Sequence, residues 1–343
     1  MIPGLLAIAA AVALLPLLVR KIGENLEPFL FVMGAAAVTV TSQWSVPLLR
    51  EALTGPIKIT AAVLAAGVVF HFIQEPLERG MTRLRARAGP KFLVCAIVAL
   101  VGLCASFLTA IIASLIMVEM VSRLKLDQKA EIRVVVLACF SIGLGAALTP
   151  FGEPLAAVAV AKLAGEPYRA GTWFLLRNLW MYVIPGIAVV SGASILLLGR
   201  SGAAESPVPR EQRETILGAI IRTVKVYVFV VGLIFLGAGF TPLIERFIGS
   251  ISYLVLFWVN ITSAVLDNAT LAAAEIVPSM QMHQIVAALM GLLIAGGMLV
   301  PGNIPNIIAA GKLKIDSREW ARVGVPVGMA MMLVMFVILV VKG

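Results

Sequence analysis

The chain has 343 residues, of which 61% are apolar and only 13% charged, against roughly 25% charged in an ordinary soluble domain. A water-soluble fold of this size would have to coat its surface with hydrocarbon, so that class is excluded. The excess of nine positive charges lies in short loops between apolar runs, which marks membrane topology and not a nucleic-acid footprint.

Uncharged runs cover 1–19, 28–49, 59–74, 92–118, 134–152, 178–199, 226–244, 247–266, 276–311 and 323–341. Most are long enough to cross about 30 Å of hydrocarbon at about 1.5 Å per helical residue, so the chain reads as an all-α polytopic membrane protein. Arg20 and Lys21 follow the first run and do not precede it. It therefore reads as a retained helix with an external N-terminus, not a cleaved signal. Residues 1–55 are expected to form N-terminal scaffold helices, one of them near 28–49, and a helix near 57–77 to open the repeat that follows. Cys95, Cys104 and Cys139 sit in apolar stretches without metal-ligand spacing, so neither a disulfide framework nor a zinc site is expected.

Basic residues cluster at 20–21, 79–91, 123–133, 200–225 and 312–322. If all five clusters are cytoplasmic, the crossings between them must be even in number. Only one apolar run, 92–118, lies between Lys91 and Arg123. It is therefore predicted to enter and return as a cytoplasmic-side hairpin over 91–122, tipped near Ser106-Phe107-Leu108-Thr109. Each arm would have about 14 residues, or ~20 Å of helix. A broken helix over 131–163 and a helix over 170–198 complete a first repeat, 56–199, followed by a cytoplasmic linker over 200–213. The second repeat, 214–342, comprises a helix, an external-side hairpin over 250–280, a broken helix over 284–312 and a helix over 318–342 with an external C-terminus. Its hairpin is tipped near Leu266-Asp267-Asn268-Ala269-Thr270. Non-helical backbone at that depth survives only where protein or a water-filled cavity supplies its hydrogen bonds.

The two halves share a pattern. Gly145, Leu148, Pro150 and Pro154 recur as Gly296, Leu299, Pro301 and Pro305 at a shift of 151, with one residue lost before the closing Lys-Leu pairs at 162–163 and 312–313. Three net crossings per half would turn the second copy upside down. Inverted repeats with Gly/Pro-interrupted helices at matching places are the signature of a secondary transporter. The expected fold is thus an inverted-repeat transporter with two re-entrant helical hairpins and two broken transmembrane helices.

Few acidic residues lie deep in the expected bilayer: Glu153 and Asp267 at the breaks, with Glu119 and Glu275 further along the hairpin arms. A carboxylate there costs on the order of 2.5–3.5 kcal/mol and tends to mark an ion or proton pathway. Asp267, Asn268, Thr270 and nearby carbonyls offer the oxygen cage that Na⁺ favours. Because burial favours the protonated carboxyl and a bound cation the ionised one, proton and Na⁺ would compete for one group. The candidate cation and proton ligands are Asp267, Glu153, Asn268, Thr270, Thr109, Ser106, Thr149, Asn303 and Asn306. Na⁺ is placed at Asp267, Asn268 and Glu153; Glu119 and Glu275 are candidate proton relays.

Plainer readings stand beside these. Asp267 and Glu153 could simply cap the helices that follow them. Asn303, Asn306, Ser106, Thr109 and Thr149 could satisfy freed backbone groups. Arg177 either snorkels outward or pairs with Glu153, and Gly324 and Gly328 permit close helix contact. Of the three aspartates, Asp127 and Asp316 lie in cytoplasmic loops, and the chain has neither a His-Glu-x-x-His motif nor a phosphate-binding Gly-rich loop. Intramembrane hydrolysis and ATP-driven pumping are therefore set aside, no enzyme activity or cofactor is expected, and Na⁺ enters only as the transported ion.

The tips and breaks resemble the ion transporter superfamily, which holds the NhaD-type sodium/proton antiporters, the arsenite permeases and the sodium-coupled citrate and dicarboxylate carriers. The matching stretches are Leu266-Asp267-Asn268-Ala269-Thr270, Leu148-Thr149-Pro150-Phe151-Gly152-Glu153-Pro154 and Val300-Pro301-Gly302-Asn303-Ile304-Pro305-Asn306, within 90–165 and 250–315. The resemblance is greatest to a compact prokaryotic family of cation transporters. The first tip, Ser106-Phe107-Leu108-Thr109-Ala110, lacks the Asn usual in those families, and Glu153 stands where the carboxylate carriers have a neutral residue. The resemblance implies a homodimer in a prokaryotic inner membrane, with a rigid scaffold and a transport domain moving as an elevator. The expected activity is Na⁺ (or Li⁺)/H⁺ antiport by alternating access. The alternative is a sodium-coupled carrier of a dicarboxylate or oxyanion, poorly served by a pocket that already holds two carboxylates.

Overall fold

A computed structural model of the chain describes residues 2–23, 25–57, 60–61, 64, 89–124, 126–198, 216–248, 252–266 and 268–342. All secondary structure among them is helical. Among the described residues, four helical stretches are long and apolar enough to cross a bilayer: Lys91–Leu108, Phe174–Leu198, Thr223–Leu243 and Ser317–Lys342. The chain is a helical membrane protein.

The N-terminal region contributes α1 (Ile2–Leu18), α2 (Leu26–Thr41) and α3, described over 46–57. Most of the helix expected near 57–77, and the linker 200–213, lie outside the described residues. Next come α4 (Pro90–Leu108), α5 (Ala110–Ser122), α6 (Gln128–Ala146), α7 (Pro154–Lys162) and α8 (Phe174–Leu198). The second half contains α9 (Ile216–Ile248), α10 (Tyr253–Val259), a 3₁₀ turn (Asn260–Ala264) and α11 (Asn268–Glu275). It ends with α12 (Met282–Gly296), a 3₁₀ turn (Val300–Gly302), α13 (Ile304–Leu313) and α14 (Ser317–Lys342).

Burial sorts these helices into layers. Residues 134–149 and 285–298 are buried without exception. With no face left exposed over these stretches, α6 and α12 form the centre. By contrast, α8 and α14 expose broad apolar faces, including Val189, Leu196, Leu333 and Val337, as surfaces for lipid or another protein.

Small residues set the closest approaches, as expected where helices associate in lipid. α2 packs along α9, where the α-carbon of Gly34 faces the carbonyl of Gly232 and that of Gly239 faces Ala37. α4 packs on α6, where Gly102 lies directly against Ser141 and Gly145 against the Gly102 carbonyl. Correspondingly, α10 packs on α12, with Gly291 against the Phe257 carbonyl and Asn260. The halves then exchange partners: α5 packs on α13, and α11 packs on α7.

The first hairpin differs in proportion from the reading of two arms of about 14 residues, each ~20 Å long. Its turn falls at Thr109, within the expected tip, but α4 has 19 residues and α5 has 13. The turn falls at the last residue of the expected tip, so Ser106, Phe107 and Leu108 become the last turn of α4, and Pro90, whose missing N–H costs nothing in a first turn, starts that helix one residue before Lys91.

Candidate functional site

α6 ends at Ala146 and α7 restarts at Pro154; α12 ends at Gly296 and α13 restarts at Ile304. The two interruptions have the same length and nearly the same backbone. Glu153 precedes α7 at φ −154°, ψ 160°, and Asn303 precedes α13 at φ −153°, ψ 148°. Each break folds tightly on itself through a glycine. Gly152 lies against the Ala146 carbonyl, and a β-carbon on Gly302 would stand 2.5 Å from the Gly296 carbonyl oxygen. The equivalence therefore runs at a shift of 150, one less than the proline spacing suggests.

Each break is joined to the hairpin of its own half. The Ala110 amide donates to Gly152 O at 2.8 Å, the Thr149 hydroxyl to Ser106 O at 2.7 Å, and the Ser106 hydroxyl to Gly145 O. Thr109 turns the chain at φ 68°, ψ 149°, and its hydroxyl accepts from Ile112 N at 3.4 Å. That is an unusual backbone for a β-branched residue and costs about 1–3 kcal/mol, a strain that surrounding packing must hold in place. In the second half a β-carbon on Gly302 would lie 2.7 Å from Ser263 O and 3.0 Å from Ala264 O. The Ser263 hydroxyl donates to Leu292 O at 3.2 Å, and Asn260 Nδ2 to Ala288 O at 3.0 Å.

The second break also meets the helix that leads into the first. Asn303 Nδ2 reaches over Gly143 of α6, and Gly297 lies against the Phe140 ring. The buried side chains of Ser106, Thr149, Glu153, Asn303 and Asn306 thus belong to one assembly of tips and breaks. Asn306 donates to both Gly296 O and Leu299 O at 2.8 Å, stitching the second break shut. Glu153 and Asn303 make no capping hydrogen bond to their own helices. Asn268, at the start of α11, is also buried. Asp267 and the side chain of Thr270 lie outside the described residues.

The remaining candidates separate from this assembly. Glu119 pairs with Arg123 and, at 3.6 Å, with Lys312 of α13, both ends of the longer pair being 13% exposed. Glu275 is only 2% exposed and so lies in the protein interior. Arg177 is exposed, as an outward-snorkelling side chain would be. Gly324 and Gly328 of α14 lie against Met298, and Trp320 Nε1 donates to Gly297 O at 3.3 Å, so α14 buttresses the second break.

Sequence reasoning did not single out Gly143, Phe140, Ser263 or Asn260. A signal existed for one of them: Asn260 is the single Asn in the uncharged run 247–266. A cavity of about 740 Å³ opens between α2, α9, α13 and the start of α14. Glu27, Lys225, Lys314, Arg318 and Arg322 line it, and it reaches Val300 in the second break.

Fold and site together define a polytopic helical membrane protein built around two interrupted helices. The chain belongs to the DUF1646 family, described as "Protein of unknown function (DUF1646)", whose model matches residues 2–342. Comparison with curated proteins gives no match.

Proposed function

We propose that this protein is a secondary active transporter exchanging a small cation, Na⁺ or Li⁺, for protons by alternating access. The supporting observation is the meeting of two broken helices, each clasped by its own hairpin, with a buried carboxylate, Glu153, at one restart. Interrupted helices at matching places in two halves supply what a transported ion needs: freed carbonyls, side-chain oxygens and an enclosed position away from lipid.

In this reading the halves are inverted repeats and the two hairpins are re-entrant. The exchange of partners, α5 with α13 and α11 with α7, supports that symmetry. The cation is held by Asp267, Asn268 and Glu153, with Thr109, Ser106, Thr149, Thr270, Asn303 and Asn306 completing or supporting the cage. Na⁺ is a hard cation that takes such oxygen ligands. The cavity bordered by Lys314, Arg318 and Arg322 is the cytoplasmic approach, since those residues belong to the basic cluster 312–322 that the positive-inside rule puts on the cytoplasmic side. The N-terminus is external, the protein works as a homodimer, and α2 with α9 belongs to the scaffold.

One observation favours a second reading, sodium-coupled uptake of a dicarboxylate or oxyanion. Both α7 and α13 begin at the breaks, and helix N-termini attract anions. Glu153 at one of those starts opposes it, because a dianion would meet a carboxylate there.

Purified protein in liposomes with an entrapped pH dye tests the choice. Imposed Na⁺ or Li⁺ gradients alone are expected to move protons, and Asp267→Asn and Glu153→Gln to abolish the movement. Proton flux that requires succinate, or full activity in Asp267→Asn, would transfer the assignment to the carrier.

A further inference from the structure

Beneath the tip of the second hairpin lies a polar pair that the cation cage does not use. Asn260, in the 3₁₀ turn that ends the first arm, is fully buried; Glu275, at the end of α11, is 2% exposed. The 3₁₀ turn that carries Asn260 packs against α11, and the Asn260 side chain faces the Glu275 carboxyl. Asn260 Nδ2 also donates to Ala288 O at 3.0 Å, which ties the pair to central helix α12. Asn260 Oδ1 and Glu275 Oε2 have no hydrogen-bond partner among the described residues. Two buried acceptor oxygens in one contacting pair lack a donor, and in a low-dielectric interior that is costly unless a proton or cation is supplied.

We infer that Glu275 and Asn260 form a proton-carrying site of their own at the base of the second hairpin, separate from the cation oxygens at its tip. The inference rests on the antiport reading and deepens it, by dividing the two ions between two places. Asn268 at the tip and Glu275 at the base are seven residues apart on α11, two turns along the same helical face, or ~10 Å. Charges at that separation in a low-dielectric interior still act on one another, so a cation arriving at the tip favours loss of the proton from the base. The site takes up one proton and releases one proton. The carboxyl alternates between neutral and singly negative, and no other bond forms or breaks.

Among the described residues, Glu275 is the buried acid of this hairpin. On the elements packed against α11, the charged or titratable groups are Glu153 and Lys162 at the two ends of α7, His283 of α12 and several residues of α9. His283 stacks edge-on against Tyr253, Lys225 of α9 pairs with Glu27, and Tyr227 donates to Leu53 O. The side chains of Arg222, Glu245 and Arg246 lie outside the described residues.

The experiment measures radioactive Na⁺ counterflow and Na⁺-driven proton movement on the same liposomes, for the wild type and Glu275→Gln. The expected result is retained Na⁺/Na⁺ exchange with proton movement reduced to that of protein-free vesicles. Proton movement unchanged in Glu275→Gln, with the wild type active, overturns this inference and leaves antiport standing. A wild type that moves no protons in a Na⁺ gradient overturns antiport itself. Loss of both fluxes in the variant is decided by infrared spectroscopy of the protein in bilayers. A carboxylic-acid carbonyl band present in the wild type, missing in Glu275→Gln and shifted in Asn260→Ala supports the site. No difference among the three spectra at any pH overturns it.

Discussion

The two helix breaks have one backbone and two chemistries. Their lengths, their cap dihedrals and their crossing glycines correspond at a shift of 150, yet Glu153 occupies the restart of one and Asn303 that of the other. They are also fastened differently. The first break is held from outside, by the Ser106 and Thr149 hydroxyls bridging it to the hairpin. The second is held from within, by Asn306 reaching back to Gly296 O and Leu299 O; its counterpart in α7, Ala156, has no polar group to do the same. Glycine and proline thus fix the shared frame, while the residues laid on it decide charge and rigidity.

The largest expected effect strikes that frame. Gly152→Ala would drive a β-carbon into the Ala146 carbonyl, and Gly302→Ala would set one against three backbone oxygens, those of Gly296, Ser263 and Ala264. Backbone cannot swing aside as a flexible side chain can, so each substitution should cost about 3 kcal/mol or more. Thermal unfolding of the detergent-solubilised protein checks this, with Gly192→Ala of α8 as the reference. A β-carbon at Gly192 meets nothing within 4 Å, and alanine there should be neutral or stabilising by up to about 1 kcal/mol, as helix propensity predicts. If Gly152→Ala and Gly302→Ala behave like the reference, the close glycine contacts do not hold the breaks together.

The frame was legible because its signals are local. Pro154 and Pro305 announced two restarts, and the charge parity around 92–118 required a turn that the structure puts at Thr109. The same prolines misled by one residue. Pro154 is the first residue of α7 but Pro305 the second of α13, and both positions lie in the first turn, where no backbone N–H is needed. Proline spacing therefore cannot fix the register, whereas the extended residues Glu153 and Asn303 do. What stayed hidden is long-range: Asn303 over Gly143, Phe140 against Gly297, the pairing of Glu119 with Lys312. No periodicity within a helix states which other helix it will meet. The burial of Glu275 near Asn260 is hidden in the same way, because Asn260 lies in an apolar run with little to mark it.

The difference in fastening is sharpened by removing one stitch from each break. Asn306→Ala withdraws both side-chain donors, leaving Leu299 O with the Gly302 amide at 3.3 Å. Buried carbonyls deprived of a donor cost about 1–3 kcal/mol each, so a loss near the middle of that range is expected overall. Ser106→Ala removes one donor from Gly145 O, which still accepts from the Leu148 amide at 3.1 Å, and should cost about 1 kcal/mol or less. The two unfolding midpoints, measured side by side, decide the matter. Equal losses would mean that the second break owes no more to its internal stitch than the first does to its hairpin.

The smallest effect concerns the ends of the two post-break helices. Lys312 closes α13 against Glu119 of α5, whereas Lys162, its counterpart on α7, is exposed. The Lys312 pair crosses between the halves and is largely shielded, but its partner is shared with Arg123, and a separation of 3.6 Å is loose for a direct hydrogen bond. Pairs of this kind are worth about 1 kcal/mol at most, and less as salt rises. Lys312→Met should therefore lower stability slightly at low ionic strength, by an amount that shrinks in high salt. Lys162→Met should leave the midpoint unchanged at either. A loss at Lys312 that persists in high salt would show that the aliphatic stem of the side chain, and not its charge, holds α13 on α5.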